Sequence, residues 1–234
     1  MKKLQSTLPN MILSLGIITA VAGALLGVVY AATKEPIAIM QKEQQVNAIR
    51  QVAPPFDNDP EADVWTTQVD GTDFTVYPAF KDGKLQGAAV MGSSMNGFSG
   101  EVKVMCGFDL DGTVRNYEVL SQAETPGLGA KMQMWFRDPT GARSVIGKNP
   151  GTTPFYVTKD KASNGQIDAI TAATISSRAF LEILRRAYDS YVKYAESKGV
   201  TVGDAAAQTE ASAKGDARSG ASQQWDGEKT GEQK

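Results

Sequence analysis

A ten-residue segment, 168–177, concentrates the side chains that could do chemistry. It reads Asp-Ala-Ile-Thr-Ala-Ala-Thr-Ile-Ser-Ser. Its polar members are Asp168, Thr171, Thr174, Ser176 and Ser177. Hydroxyl residues at a helix start commonly act as caps, because their oxygens accept hydrogen bonds from unpaired backbone N–H groups. The residues between them are mostly small, so the segment also lets a bulky ligand approach the backbone.

A helical pattern comes directly after this segment and would position it. The apolar side chains of one face are Phe180, Ile183, Leu184, Ala187, Tyr188 and Tyr191. The charged side chains of the other face are Arg178, Glu182, Arg185, Arg186 and Asp189. This spacing predicts an amphipathic helix of about five turns that begins at or just after the hydroxyl segment. A helix N-terminus carries unpaired N–H groups and positive dipole potential, which are the physical requirements of a phosphate site.

A turn-forming loop lies upstream, at residues 124–130, and reads Glu-Thr-Pro-Gly-Leu-Gly-Ala. Pro126 followed by Gly127 predicts a type II turn, because Pro fixes φ and Gly accepts a positive φ. Gly129 exposes further backbone N–H groups. By itself the pattern fits either an ordinary turn or an anion or cofactor loop.

Antiparallel strands are predicted in the first half of the domain. Residues 75–80 and 85–90 flank one Asp-Gly turn, and residues 102–110 and 113–120 flank another at 111–112. Asp-Gly between apolar-rich runs is a strong hairpin signal, because Gly accepts the positive φ that the turn needs.

Three further segments complete the pattern of the domain. The Gly/Ser loop at 92–100 carries Phe98, and it fits either an ordinary connection or a loop that lets a planar ligand come close. Residues 131–136 predict a short helix, and residues 154–158 predict another strand.

Composition excludes several classes of function. The chain has no histidine and one cysteine, so it lacks the usual general base and metal ligand, and it forms no intrachain disulfide. Cys106 lies in a strand-like run and is interpreted as a small buried hydrophobe rather than a reactive thiol. Net charge is -2 with no basic block, which argues against a nucleic-acid partner. We predict no metal site and no catalytic residues.

The run Asp-Leu-Asp-Gly-Thr at 109–113 matches the opening signature of haloacid-dehalogenase-type phosphatases, in which the first Asp is the nucleophile. That interpretation needs a βα unit, a distant Lys and an acidic Mg²⁺ pair. The residues after the run alternate like a strand, so we favour a hairpin.

An uncharged run at residues 11–32 is long enough to cross a bilayer as a helix, which takes about 20 residues. Lys2 and Lys3 precede it, so the positive-inside rule places the N-terminus in the cytoplasm and the main domain outside. A cleaved signal peptide is the alternative, but the run exceeds the roughly 7–15 apolar residues of such peptides.

These patterns predict an α+β fold, with an N-terminal transmembrane helix followed by a domain with an antiparallel sheet and flanking helices. The predicted boundaries are 1–33 for the cytoplasmic N-terminus and anchor, 34–55 for a helical stalk, 56–202 for the domain and 203–234 for a disordered tail.

The two loop motifs together resemble a known family. Asp168, Thr171, Ala173 and Thr174 at this spacing, preceded by the run at 124–129, are similar to the FMN-binding domain of the G subunit of Rnf-type ion-translocating electron-transport complexes. The C subunit of the sodium-translocating NADH:quinone reductase shares this domain. The resemblance covers roughly the first two hundred residues.

The resemblance implies a covalent cofactor. In the family, FMN is joined through its phosphate to a threonine hydroxyl by a separate flavin transferase, and the matching residue here is Thr174. The family commonly has Gly where this chain has Ala172. The hydroxyls of Thr171, Ser176 or Ser177 would meet the phosphate, and Asp168 is assigned to metal or transferase recognition or to a turn. The remaining residues expected at the cofactor site are Ala173, Glu124, Thr125, Gly127, Leu128 and Gly129.

The implied function is electron transfer within a membrane complex that couples ferredoxin and NAD⁺ chemistry to Na⁺ or H⁺ movement. The expected partners are the other subunits of the complex, the flavin transferase and the membrane, with the domain on the outer or periplasmic side. No independent turnover is expected. The alternatives are the flavin subunit of the quinone reductase and a non-redox exported binding domain.

Overall fold

The computed structural model describes residues 7–202. The predictions for the cytoplasmic N-terminus and for the tail at 203–234 lie outside the described residues. The chain divides into two compact units between Asn47 and Ala48.

The first described element is one long helix. Helix α1 spans Leu8–Val52 and includes Pro36, so one helix covers residues 8–33 of the predicted anchor and residues 34–52 of the predicted stalk. Its apolar part has a mean hydropathy of 2.4, and by length and composition it is the one described helix that could cross a membrane. A crossing needs about 20 residues, which is less than half of the length of α1.

The second unit is built on a five-stranded antiparallel sheet whose strands follow one another in chain order. The strands are β1 (Trp65–Val69), β2 (Thr72–Lys81), β3 (Lys84–Ser94), β4 (Val102–Asp109) and β5 (Val114–Gln122). The α+β class and both predicted hairpins are confirmed. Asp82 and Gly83 between β2 and β3 have φ of 51° and 71°, as a tight hairpin turn requires.

A third hairpin, between β1 and β2, was not predicted. Asp70 and Gly71 connect the two strands with φ of 49° and 76°. The same Asp-Gly signal that identified the other hairpins is present here. It was missed because β1 is short and three of its five residues, Thr66, Thr67 and Gln68, are polar.

The main core lies between one face of the sheet and helix α3, which spans Thr174–Ser197. The helix is longer than the predicted five turns, and its apolar face is buried as predicted. Tyr191 stacks on Phe108 of β4 with ring centroids 5.6 Å apart, and Phe180 contacts Tyr117 of β5 edge-on. The start of α3 is therefore fixed by the packing of its whole length.

A smaller core covers the other face of the sheet. Val52 and Ala53, at the end of α1, pack there with Tyr77, Ala89 and Met105. Gly107 of β4 allows this approach, because a Cβ at that position would lie 1.9 Å from the carbonyl oxygen of Val52.

The structure confirms the interpretation of Cys106 as a core residue. Its side chain is completely buried, and this burial raises the pKa of the thiol. A thiol with a raised pKa forms little thiolate, which is the nucleophilic species, so Cys106 is unreactive.

The structure argues against the phosphatase alternative. Asp109 ends β4 and leads directly into β5 through a hairpin rather than into a helix. Its carboxylate pairs with Arg115 at 3.2 Å across that hairpin.

The predictions for the later connections have mixed outcomes. A 3-10 turn at Gly129–Lys131 leads into the short helix α2, Met132–Trp135, which confirms the predicted helix. The strand predicted at 154–158 is wrong. The segment makes only an isolated parallel bridge between Val157 and Ile167, because it pairs with a local loop and not with the sheet.

Candidate functional site

Helix α3 begins without a side-chain cap. Ala173 occupies the N-cap position with φ −133° and ψ 48°, and no acidic residue lies in the first turn. Within the described chain, the N–H groups of Thr174, Ile175 and Ser176 and the hydroxyl of Thr174 have no hydrogen-bond partner. Thr174 is half-buried. The helix start therefore presents a hydroxyl and several backbone donors that are free for a ligand.

The backbone bends sharply at Ala172, just before this helix. Its φ of 62° is left-handed, which costs an L-residue with a side chain roughly 1–2 kcal/mol. The bend is closed by a hydrogen bond from the N–H of Ala173 to the carbonyl of Ile170 at 3.0 Å. A left-handed φ explains physically why glycine suits this position.

The two serines of the first turn have different surroundings. Ser177 is fully buried, and its hydroxyl accepts a hydrogen bond from the N–H of Ile170 at 2.9 Å and donates one to the carbonyl of Ala173 at 2.9 Å. Ser176 is also buried, but its hydroxyl donates to the Glu124 carboxylate at 2.8 Å. Ser177 fastens the bend, whereas Ser176 joins the helix to the upstream loop.

Glu124 is the buried carboxylate at this junction, with 5% of its surface exposed. Besides Ser176, it accepts a hydrogen bond from the N–H of Ser99 at 3.3 Å. Two glycines leave room for it, since a Cβ on Gly97 would lie 2.7 Å from one carboxylate oxygen and a Cβ on Gly129 2.6 Å from the other. Glu124 thus ties three segments of the chain together.

These segments enclose a cavity of about 330 Å³. Its lining residues are Phe98, Glu124, Thr125, Leu128, Gly129, Ala172, Ala173, Thr174, Ile175 and Ser176. The volume lies at the lower end of the range of about 300–1,000 Å³ for small-molecule sites. The structure thus brings together seven of the residues predicted from the two motifs.

The other four predicted residues lie elsewhere. Thr171 is exposed and Ser177 is committed to the bend, and neither lines the cavity. Gly127 has a φ of 78°, and the N–H of Leu128 donates a hydrogen bond to the carbonyl of Thr125 across the turn. These two features confirm the type II turn. It lines a second, more open cavity of about 820 Å³, formed with Pro126, Met134 and Trp135 among others.

Asp168 holds neighbouring loops in place. Its carboxylate accepts hydrogen bonds from the N–H of Ala142 at 3.2 Å and from the hydroxyl of Thr158 at 3.3 Å. Its carbonyl oxygen accepts one from the indole of Trp135 at 2.9 Å. All three partners lie ten or more residues away in the sequence, so these contacts join separate segments, and the roles predicted for Asp168 in recognition or in a turn stay predictions.

An ion pair flanks the first turn of α3 on the solvent side. Arg178, four residues after Thr174, donates to both carboxylate oxygens of Asp160, with its Nη2 2.5 Å from Oδ1 and its Nε 3.1 Å from Oδ2. The hydrogen bond from Arg178 lowers the pKa of Asp160.

Phe98, Ile175 and Ala172 line the cavity although they were not predicted as site residues. The signal for Phe98 was an aromatic side chain within a Gly/Ser loop, but nothing local to that loop indicated where its side chain would lie. Ile175 is 48% exposed, which its apolar type did not suggest.

Comparison with known proteins agrees with this location. A family model described as FMN-binding domain matches residues 97–189. The G subunit of the ion-translocating oxidoreductase complex of Aliivibrio fischeri is 31% identical over 198 residues, which cover 82% of this chain and 93% of the relative. The chain belongs to this G-subunit family. Every residue that lines the smaller cavity falls within the part that matches the FMN-binding domain.

Two further G subunits of such complexes are similar to the chain over most of its length. The protein of Cereibacter sphaeroides is 33% identical over 181 residues, which cover 74% of this chain and 80% of the relative. The protein of Methanosarcina acetivorans is 30% identical over 188 residues, with 77% and 92% covered. The likeness to these G subunits therefore extends well beyond the FMN-binding domain.

Proposed function

We propose that this chain is the flavin-carrying electron-transfer subunit of a membrane-bound, Rnf-type ion-translocating oxidoreductase complex, with FMN joined through its phosphate to Thr174. The observation that carries the proposal is the free hydroxyl of Thr174 at an uncapped helix N-terminus, within a cavity of the FMN-binding domain.

The residues of the cavity fit such a group. The unpartnered N–H groups of Thr174, Ile175 and Ser176 can donate to phosphate oxygens, and the helix dipole favours the negative charge. The Glu124 carboxylate has the same sign of charge as a phosphate. Its two oxygens, however, already accept hydrogen bonds from the Ser176 hydroxyl and the Ser99 N–H. We therefore assign Ser176 to holding Glu124, and the backbone amides to holding the phosphate.

The other predicted residues keep supporting roles in this proposal. Ser177 and Ala172 shape the bend that presents Thr174, and Asp168 fixes the loops beside it. Gly127 shapes the turn that carries Leu128 and Gly129 to the cavity. Thr171 remains exposed and has no contact that would assign it to the phosphate.

The linkage needs an external enzyme, because a threonine hydroxyl is not acidic. In the proposed step, the Thr174 oxygen attacks the flavin-side phosphorus of FAD. The bond to the second phosphate breaks, AMP leaves, and the hydroxyl proton passes to a base of the transferase or to water. A divalent cation on the transferase would neutralise the pyrophosphate.

The cofactor supplies the redox chemistry, and the protein supplies position and surroundings. Glu124 is the one titratable side chain that lines the cavity within the described chain, and both of its oxygens accept hydrogen bonds. The site therefore suits electron transfer better than acid–base turnover of a substrate.

The membrane setting is part of the proposal. Helix α1 would anchor the chain with its N-terminus in the cytoplasm and the FMN-binding domain on the outer side. The electron partners would be other subunits of a complex that couples ferredoxin and NAD⁺ chemistry to Na⁺ or H⁺ movement. The name of the relatives, as G subunits of an ion-translocating oxidoreductase complex, supports this assignment over the quinone reductase.

Intact mass after co-expression with a flavin transferase tests the proposal. The expected result is an increase of one FMN that survives denaturation, that is lost in Thr174→Ala and that returns at least partly in Thr174→Ser. Folded wild-type protein that stays unmodified under these conditions would refute the covalent linkage.

A further inference from the structure

We propose that Phe98 is the stacking platform of the site, and that its ring covers one face of the flavin ring system attached at Thr174. This inference rests on the proposed function and adds a ring-binding residue to it. It concerns a loop, 95–100, that lies outside both sequence motifs.

Phe98 lies on an apolar rim around the cavity. Its side chain is 68% exposed, and two other large apolar residues on the same rim, Ile175 and Leu128, are 48% and 40% exposed. Single exposed apolar residues are ordinary on a protein surface, but three around one cavity mark a place where an apolar ligand is covered. The polar groups, Glu124 and Thr174, lie in the same cavity.

The proposed phosphate linkage at Thr174 determines which ligand would contact this apolar rim. FMN has a charged phosphate end and a planar aromatic end. A phosphate fixed on Thr174 keeps the aromatic end within reach of the same cavity walls. Aromatic rings pack face to face or edge to face with planar ligands, so Phe98 matches the ring system while the helix start matches the phosphate.

The loop that carries Phe98 is held on both sides by carboxylates. On one side, the Asn96 amide donates to Glu182 of α3 at 2.8 and 3.1 Å, and the Ser94 hydroxyl donates to Glu182 at 3.0 Å. Glu182 is itself paired with Arg186 at 2.9 Å. These contacts fix the loop immediately before Phe98.

The contact on the other side is the hydrogen bond from the N–H of Ser99 to Glu124 at 3.3 Å. Since Glu124 also receives the Ser176 hydroxyl, the loop and the start of α3 share one carboxylate. The backbone around Phe98 is therefore fixed relative to Thr174, although the side chain itself is exposed. A fixed backbone with an exposed aromatic ring is suited to receive a planar ligand.

Met95 provides a matched control. It lies in the same loop, is 73% exposed and does not line the cavity. A substitution there changes a similarly exposed apolar side chain without touching the proposed platform.

The decisive measurement is flavin fluorescence of the full-length, flavin-loaded protein, expressed per covalently bound flavin. Tryptophan quenches flavin emission strongly only at close contact. Phe98→Trp is therefore expected to lower the emission per flavin several-fold, whereas Met95→Trp leaves it at the wild-type level. Equal emission of the two tryptophan variants would overturn the inference.

A second variant tests whether Phe98 shields the flavin ring from solvent, rather than whether it contacts the ring. Phe98→Ala is expected to raise the iodide quenching constant of the bound flavin several-fold, because one ring face becomes open to solvent, while Met95→Ala leaves the constant unchanged. An unchanged constant in Phe98→Ala would show that Phe98 serves another partner, and it would overturn the inference while the linkage to Thr174 stands. Absence of FMN from the wild-type protein would overturn both.

Discussion

Residues 168–172 and residues 173–177 form two halves of one polar, small-residue segment, yet they have different surroundings. In the first half, Asp168 is engaged by neighbouring loops and Thr171 lies outside the cavity lining. In the second half, Thr174 and Ser176 line the cavity. The cavity-lining hydroxyls of the segment therefore all lie in the second half, whereas the polar side chains of the first half lie outside the cavity lining.

The largest expected difference between the halves is in flavin loading. Thr174→Ala removes the only cavity-lining threonine hydroxyl of the segment, so we expect loading to vanish. Thr171→Ala should keep most of the wild-type loading, because Thr171 is exposed and lies outside the cavity lining. Intact mass after co-expression with the transferase measures both. Attachment at Thr171 in the Thr174→Ala variant, located by peptide mapping, would contradict the division of the segment.

A second difference concerns stability. Ser177→Ala leaves the N–H of Ile170 without a partner in a buried site, which costs about 1–3 kcal/mol. We expect chemical denaturation of the apoprotein to show this loss in the free energy of unfolding. Thr171→Ala, at an exposed position, serves as the control and should stay within about 0.5 kcal/mol of wild type. A Ser177→Ala variant as stable as the control would show that the bend does not depend on this hydroxyl.

A third prediction tests the bend itself. Ala172→Gly relieves a left-handed conformation and should raise the free energy of unfolding by about 1 kcal/mol. The matched change Ala179→Gly, inside α3, should lower it by about 1 kcal/mol. Equilibrium unfolding in denaturant distinguishes the two signs. A destabilised Ala172→Gly variant would show that its φ carries no strain.

The sequence predicted those features of the fold that depend on neighbouring residues. The Asp82-Gly83 hairpin, the type II turn at Gly127 and the start of α3 each follow from local backbone chemistry. The strand at 154–158 failed because a strand needs a partner, and its segment bridges only to Ile167. Strand propensity reports nothing about which neighbour is available.

The candidate site was predictable to the same extent. The two motifs predicted two of the three segments around the cavity, but the contact that joins these two, Ser176 to Glu124, spans 52 positions in the chain. Ser176 and Ser177 are adjacent and chemically identical, and only the rotation of about 100° per helical residue separates their environments. Phe98 could not be assigned at all, because its position depends on Glu124 and Glu182, two residues distant in sequence.

The smallest expected effect concerns the ion pair between Asp160 and Arg178, on the solvent side of the first turn. Arg178 lowers the pKa of Asp160 in the folded state, so the pair contributes stability above the unfolded value of about 3.9. This contribution is lost as the pH falls through the lower, folded-state pKa. The pair is exposed, so the contribution is small.

Thermal melting of wild type and Asp160→Asn between neutral and acidic pH tests this sign. Asp160→Asn should melt slightly below wild type at neutral pH, and the two curves should converge in acid, once Asp160 of the wild type is protonated. Glu101→Gln, a change of another exposed carboxylate, controls for loss of a negative charge and should show no such convergence. A constant gap between Asp160→Asn and wild type at all pH values would show that the hydrogen-bonding shape of the side chain, and not its charge, secures this side of the helix start.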